Sequence, residues 1–92
     1  YGLATESLFS EFYKDEGYWL GHIWPAPTLL IIEALLKTDY NDFAEEVKNR
    51  FLKLVSTGGM AENFNAKTGK GLSDTAFTWT SGVYLSLMKG LV

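Results

Sequence analysis

Cysteine is absent from this sequence. That excludes disulfides and thiolate metal sites, but it does not fix a compartment, which stays open. Histidine occurs once, at His22, so no imidazole cluster is available for a metal, and neither metal nor cofactor is expected. Basic charge is scarce: 8 Lys and Arg stand against 11 Asp and Glu, a formal charge of −3. Such a chain carries no basic field for nucleic acid. Long apolar runs are also missing. The longest, LLIIEALL, is interrupted by Glu33 and falls short of the roughly 18–20 residues that a membrane span needs. No cleavable signal pattern opens the chain.

Aromatics, by contrast, are abundant: three Trp, five Tyr and six Phe among 92 residues, with 47% hydrophobic residues. This is a globular composition, sized for one small domain over residues 1–92 and short for a large core. The chain starts YGLATES, without an initiator Met, and ends LMKGLV within an apolar helical pattern. Both ends look cut, so the expectation is a piece of a larger protein, or a subunit that buries its surface against a partner.

An all-α fold is expected. Residues 1–26 read as irregular, broken by Gly17, Gly21, Pro25 and Pro27. From Thr28 the pattern changes. TLLIIEALLKT is apolar nearly all round, as in a helix over 28–37 buried on most sides, with Pro27 in its first turn. Asp39 to Asn41 is a helix-start signal, since both side chains can cap free N–H groups. The following helix, 41–57, carries Phe43, Ala44, Val47, Phe51, Leu54 and Val55 on one stripe and charges elsewhere, which implies one wet face. Gly58 and Gly59 stop it. The two helices make one αα-hairpin. A long loop runs to about Thr75, and a third helix, about 77–89, is again apolar on most sides. Its first turn holds small polar residues: Thr78, Thr80, Ser81 and Gly82. No strand alternates convincingly, and no internal repeat is evident.

Two clusters could carry chemistry, each just before a buried helix. One is Tyr18, Trp19, His22, Trp24 and Pro25; the other is Glu62, Asn63, Phe64 and Asn65, followed by Phe77 and Trp79. Aromatic platforms mixed with carboxylate, amide and hydroxyl groups suit a sugar, because CH faces stack on Trp and Tyr while hydroxyls pair with Glu, Asn and His. Bland readings stand beside this one. Trp19 and Trp24 also suit core anchors, a lone His22 suits a structural hydrogen bond, and Glu62 on a Gly-bounded loop suits a solvated charge. AKTGKG lacks the full phosphate-loop spacing and a preceding strand, so it is not one, and Lys67 and Lys70 read as surface charges.

The stretch GLATESLFSEFYKDEGYWLGHIWPAPTLLIIEALLK resembles the "GL-T-S…Y…GYWRG-IWP…N-L…GL" pattern of glycoside hydrolase family 63. That family includes processing α-glucosidases and mannosylglycerate and glucosylglycerate hydrolases. AENFNAKTGKGLSDTAFTWTSGVYLSLM resembles the family's "ENYNP-TG-G…F-WT" ending, and trehalases carry a similar loop. The resemblance spans nearly the whole chain, with both motifs in order. It implies an (α/α)6 toroid, the six-hairpin glycosidase fold, of which this chain would be the C-terminal part. Helices 28–37 and 77–89 would then be inner-ring helices and 41–57 an outer one.

The resemblance further implies that Glu62 is the general base of an inverting glycoside hydrolase acting on α-glucosides or α-mannosides. Tyr18, Trp19, Gly21, His22, Trp24, Asn63 and Trp79 would bind substrate. Inverting chemistry sets an acid and a base about 6.5–9.5 Å apart, with water between the base and the sugar. The sequence departs from the pattern at Leu20 (usually Arg), His22 (often Pro), Thr28 (usually Asn) and Phe64 (usually Tyr). The family's acid is an Asp in a segment rich in Trp, Ser, Pro and Arg. None of Asp15, Asp39, Asp42 and Asp74 has such surroundings, so the acid is expected elsewhere and the 92 residues alone are expected to be inactive. A non-catalytic carbohydrate-binding or protein-interaction module, or a purely structural helical subunit, is the competing reading. Inner-ring helices without neighbours expose apolar faces, so self-association into a homo-oligomer is also expected.

Overall fold

The computed structural model describes residues 1–75 and 78–90. Its helices are α1 (Pro25–Lys37), α2 (Asn41–Gly58) and α3 (Thr78–Met88), with two-residue strands β1 (Asn63–Phe64) and β2 (Gly71–Leu72) between α2 and α3. The all-α expectation therefore holds. Phe77, expected to start the third helix, lies outside the described residues. The molecule is a slab, 31 × 29 × 17 Å, with a radius of gyration of 12.5 Å. A compact chain of this length has a radius of about 12 Å.

Helix α1 begins three residues before the expected Thr28. Pro25 occupies its first position and Pro27 its first turn, where a missing N–H breaks no helical bond. Thr28 gives its N–H and its hydroxyl to the Trp24 carbonyl, at 3.1 and 2.7 Å, and so ties the turn to the segment before it. The α1–α2 hairpin turns on Asp39, at φ 65°. This explains why the expected capping fails. Asp39 is spent on the left-handed turn that acidic side chains tolerate, the cap position falls to Tyr40, and no side chain caps α2.

Helix α2 buries Ala44, Val47, Phe51, Leu54 and Val55, as its stripe implies; Phe43 is the exception, at the exposed margin. Its outer face carries the Glu45–Lys48 and Glu46–Arg50 pairs at 3.2 and 2.8 Å. Each is worth only a few tenths of a kcal/mol. The expectation that the other two helices are buried on most sides is corrected. Helix α1 buries only Pro25, Thr28 and Ile32, and leaves Leu30 64% exposed. Helix α3 buries Thr80, Val83 and Leu87, and leaves Met88 58% exposed. In so thin a slab the described residues leave much of these helices uncovered.

The absence of strands is corrected too. Ile23 bridges Ala4 on one side and Phe64 on the other, and β1 pairs with β2, so four segments form a sheet barely two residues long. Ile23 and Phe64 exchange both backbone hydrogen bonds, at 2.8 and 2.9 Å. Phe64 points into the core, edge-to-face with Phe51 at 6.2 Å, rather than toward any ligand. The glycine-rich turn after it is built by Asn65, whose Oδ1 accepts from the N–H groups of Lys67 and Thr68.

Close packing under this turn gives a stability prediction. A Cβ on Gly71 would stand 2.6 Å from the Gly58 carbonyl oxygen and 2.8 Å from the Ala61 Cβ. Gly71→Ala should lower the free energy of unfolding by about 1–3 kcal/mol. Urea unfolding checks this; an unchanged midpoint would contradict the packing.

Candidate active site

Residues 14–20 form a tight loop. Lys14 N–H donates to the Leu20 carbonyl at 2.8 Å and Gly17 N–H to the Lys14 carbonyl at 3.1 Å. Tyr18 sits inside it at φ 60°, a conformation that an ordinary side chain adopts only when its surroundings impose it. Two neighbours impose it here. The Trp24 indole N–H donates to the Tyr18 carbonyl at 2.8 Å, and the Tyr18 hydroxyl donates to Glu62 Oε2. His22, buried, has Nε2 2.7 Å from the Asp15 carbonyl and pins the base of the loop. Gly21 is required where it stands, because a Cβ there would meet the Tyr13 ring at 2.5 Å and the Lys14 carbonyl oxygen at 2.8 Å.

From the other side, β1 delivers Glu62. The Glu62 N–H donates to the Asp74 carbonyl at 2.7 Å. Asn63, fully buried, donates from Nδ2 to Ser73 Oγ at 3.2 Å. Lys67 is not merely a solvated charge. It lies 4.8 Å from the centre of the Tyr13 ring and 3.5 Å from the Asp15 carboxylate, joining the two loops at their outer edge.

The aromatic residues gather around Trp24. Trp19 stacks on it with ring centres 3.8 Å apart and planes 8° from parallel. Tyr18 and Trp79 meet it edge-on, at 4.6 and 5.9 Å. Trp24 is buried and serves as an anchor, whereas Trp19 remains 51% exposed. So the structure brings together Tyr18, Trp19, Trp24, Trp79 and Glu62 from three separate stretches. Tyr18, Trp19, Trp79 and Glu62 reach the surface; Gly21, His22, Trp24 and Asn63 lie beneath it. The sequence reading assigned no role to Thr5 or Ser73 and noted Thr80 only as a small polar residue in the first turn of the third helix. Thr5 accepts from Gly21 N–H and donates to the His22 carbonyl. Small hydroxyl residues of this kind carry no pattern that marks them before their partners are known. A cavity of about 240 Å³ is lined by Tyr1, Arg50, Lys53, Leu54 and Thr57, none of them in the cluster.

The Tyr18 hydroxyl is held above the ordinary tyrosine value of about 10. The hydrogen bond to Glu62 is the main cause, followed by desolvation and by the carboxylate's charge. A raised folded value favours the neutral phenol. Its contribution to stability is complete below the unfolded value and is lost as pH climbs through the folded one. Absorbance difference titration of wild type against Glu62→Gln should show Tyr18 ionising at lower pH in the variant. Superimposable curves would contradict the pairing.

Comparison with known proteins shows the family by sequence and the fold by shape. The model of the mannosylglycerate hydrolase MGH1-like glycoside hydrolase domain matches residues 1–80. The chain is 27% identical over 76 residues to the mannosylglycerate hydrolase of Rubrobacter radiotolerans, covering 83% of this chain and 17% of that protein. It is 28% identical over 86 residues to the glucosylglycerate hydrolase of Mycolicibacterium hassiacum, covering 92% and 19%. The chain thus spans less than a fifth of the length of these relatives. Its fold matches the crystal structure of the family 63 mannosylglycerate hydrolase from Thermus thermophilus in complex with glucose. The TM-score is 0.78 at 24% identity, over 95% of this chain and 23% of that one.

Proposed function

Because the chain belongs to the mannosylglycerate hydrolase MGH1-like glycoside hydrolase family, we propose that it supplies the general base and one wall of the sugar pocket of an inverting α-glucosidase or α-mannosidase. The rest of that pocket, and the acidic Asp, would come from elsewhere in a longer polypeptide with an (α/α)6 toroid. One observation carries the reading: Glu62 converges with Tyr18 and the adjoining Trp19 face although 44 residues separate it from Tyr18. That the Thermus enzyme was crystallised with glucose supports a hexopyranose as the bound group.

In this reading the half-exposed Trp19 ring stacks against the CH face of the sugar, backed by Trp24. Tyr18 occupies Glu62 Oε2 and fixes the plane of the carboxylate. Among the described residues Oε1 has only a long contact, 3.5 Å, from the Asp74 N–H. Oε1 is therefore the oxygen free to take a proton from water as that water attacks the anomeric carbon. The acid on the opposite side protonates the leaving oxygen, and the α-linked sugar departs with inverted configuration. Tyr18, Trp19 and Trp79 face substrate; Gly21, His22, Trp24 and Asn63 hold them in place.

The apolar faces of α1 and α3 fit the same reading, as surfaces that other hairpins of the toroid would cover. In the isolated 92-residue chain a second copy would take their place. Light scattering at micromolar concentration should then give more than a monomer mass, and a monomer would contradict it.

The functional test is Glu62→Gln in the natural polypeptide that carries these residues, with mannosylglycerate and glucosylglycerate as substrates. Gln keeps the shape and can still accept from Tyr18, but it cannot take a proton. The expected result is a loss in kcat of roughly 10²–10⁴-fold with KM little changed. Retention of wild-type kcat would contradict the base assignment. Sugar binding without turnover by the wild type would favour the non-catalytic module instead.

A further inference from the structure

The Thr80 hydroxyl is placed unlike those of Thr28, Thr38 and Thr57. Thr28, Thr38 and Thr57 all give their hydroxyls to carbonyls three or four residues back, within their own helix or the residue before it. Thr80 instead reaches 19 residues back, to the carbonyl of Ala61, at 2.5 Å. Its side chain is completely buried. Ala61 is the residue before Glu62, and it is also buried, wedged between Thr80 and the backbone of Gly71.

We infer that Thr80 is the positioning residue for Glu62, setting the carboxylate's distance from the aromatic platform. The inference rests on the reading of Glu62 as a base. The backbone around Glu62 is held on its C-terminal side by the Ile23–Phe64 pair, and at its own N–H by the Asp74 carbonyl. On the N-terminal side the hold comes from α3, through the Thr80 hydroxyl. The neighbouring residue on that helix, Trp79, meets Trp24 edge-on at 5.9 Å and perpendicular. One dipeptide thus touches both halves of the site: Trp79 rests on the platform and Thr80 holds the base loop. A shift of Ala61 moves Glu62 relative to the sugar face without removing a group that touches sugar. Such a displacement, about an ångström, costs up to 10²-fold in rate while leaving binding nearly intact.

The experiment uses the natural polypeptide and compares Thr80→Val, Thr80→Ser and Thr80→Ala with Glu62→Gln, on mannosylglycerate and glucosylglycerate. Val keeps the volume and loses the hydroxyl. Ser and Ala both lack the methyl and differ by the hydroxyl alone, so they give the comparison even where Val does not fold. Thr80→Val and Thr80→Ala should lower kcat by roughly 10- to 100-fold with KM changed by less than about threefold, while Thr80→Ser restores most of it. Equal kcat in Ser and Ala, or a fall in melting temperature alone, would overturn the inference while a dead Glu62→Gln leaves the base assignment standing. An active Glu62→Gln, or a wild type without turnover, overturns both.

Discussion

Two hydrogen bonds exchanged between the backbones of Ile23 and Phe64 join the halves of this molecule. One side of that pair leads, through His22 and Trp24, to the loop of Tyr18 and the stacked indoles. The other leads, through Asn63, to Glu62. Phe64 is buried against Phe51, while Glu62, just before β1, meets Tyr18. A slip of one residue would send the carboxylate's neighbours to the wrong faces. The burial of Phe64 and Ile23 guards against such a slip, because either side chain would have to leave the core.

Around this joint the polar groups are arranged so that the exposed ones face outward with capacity to spare. The buried His22, Trp24, Asn63 and Thr80 give hydrogen bonds to backbone carbonyls or to a neighbouring hydroxyl. Those bonds fix loops that have no regular structure of their own. Of the positive-φ residues other than glycine, Tyr18 bonds to Glu62 and Ser73 to the adjoining Asn63, while Asp39 makes the distant hairpin turn. The apolar stacking of Trp19 on Trp24 then gives a firm surface beside a charged group, the combination that sugar recognition uses.

Much of this was legible in the residues. The stripe of α2 predicts its buried face because one period governs the whole helix. The motif around Glu62 marks the carboxylate, and the glycines around it mark the turn. The ends of α1 and α2 were less legible. Helix α1 starts at Pro25 rather than at Thr28, and the left-handed turn at Asp39 removes a cap that composition promises. The burial on most sides expected for α1 and α3 from their apolar faces overshoots, because hydrophobicity reports what a helix can bury and not what is there to cover it. Least legible was the pairing of Tyr18 with Glu62, 44 residues apart, and the reach of Thr80 to Ala61. Both depend on a sheet too short to leave any alternation in the sequence.

The most direct test of the account is a crystal structure of the natural polypeptide with glucose bound. The account predicts the pyranose ring against the Trp19 face, with a water about 2.6–3.2 Å from Glu62 Oε1 and facing the anomeric carbon. A sugar seated away from Trp19, or a Glu62 that bonds only to ring hydroxyls with no room for water at the anomeric carbon, would contradict it.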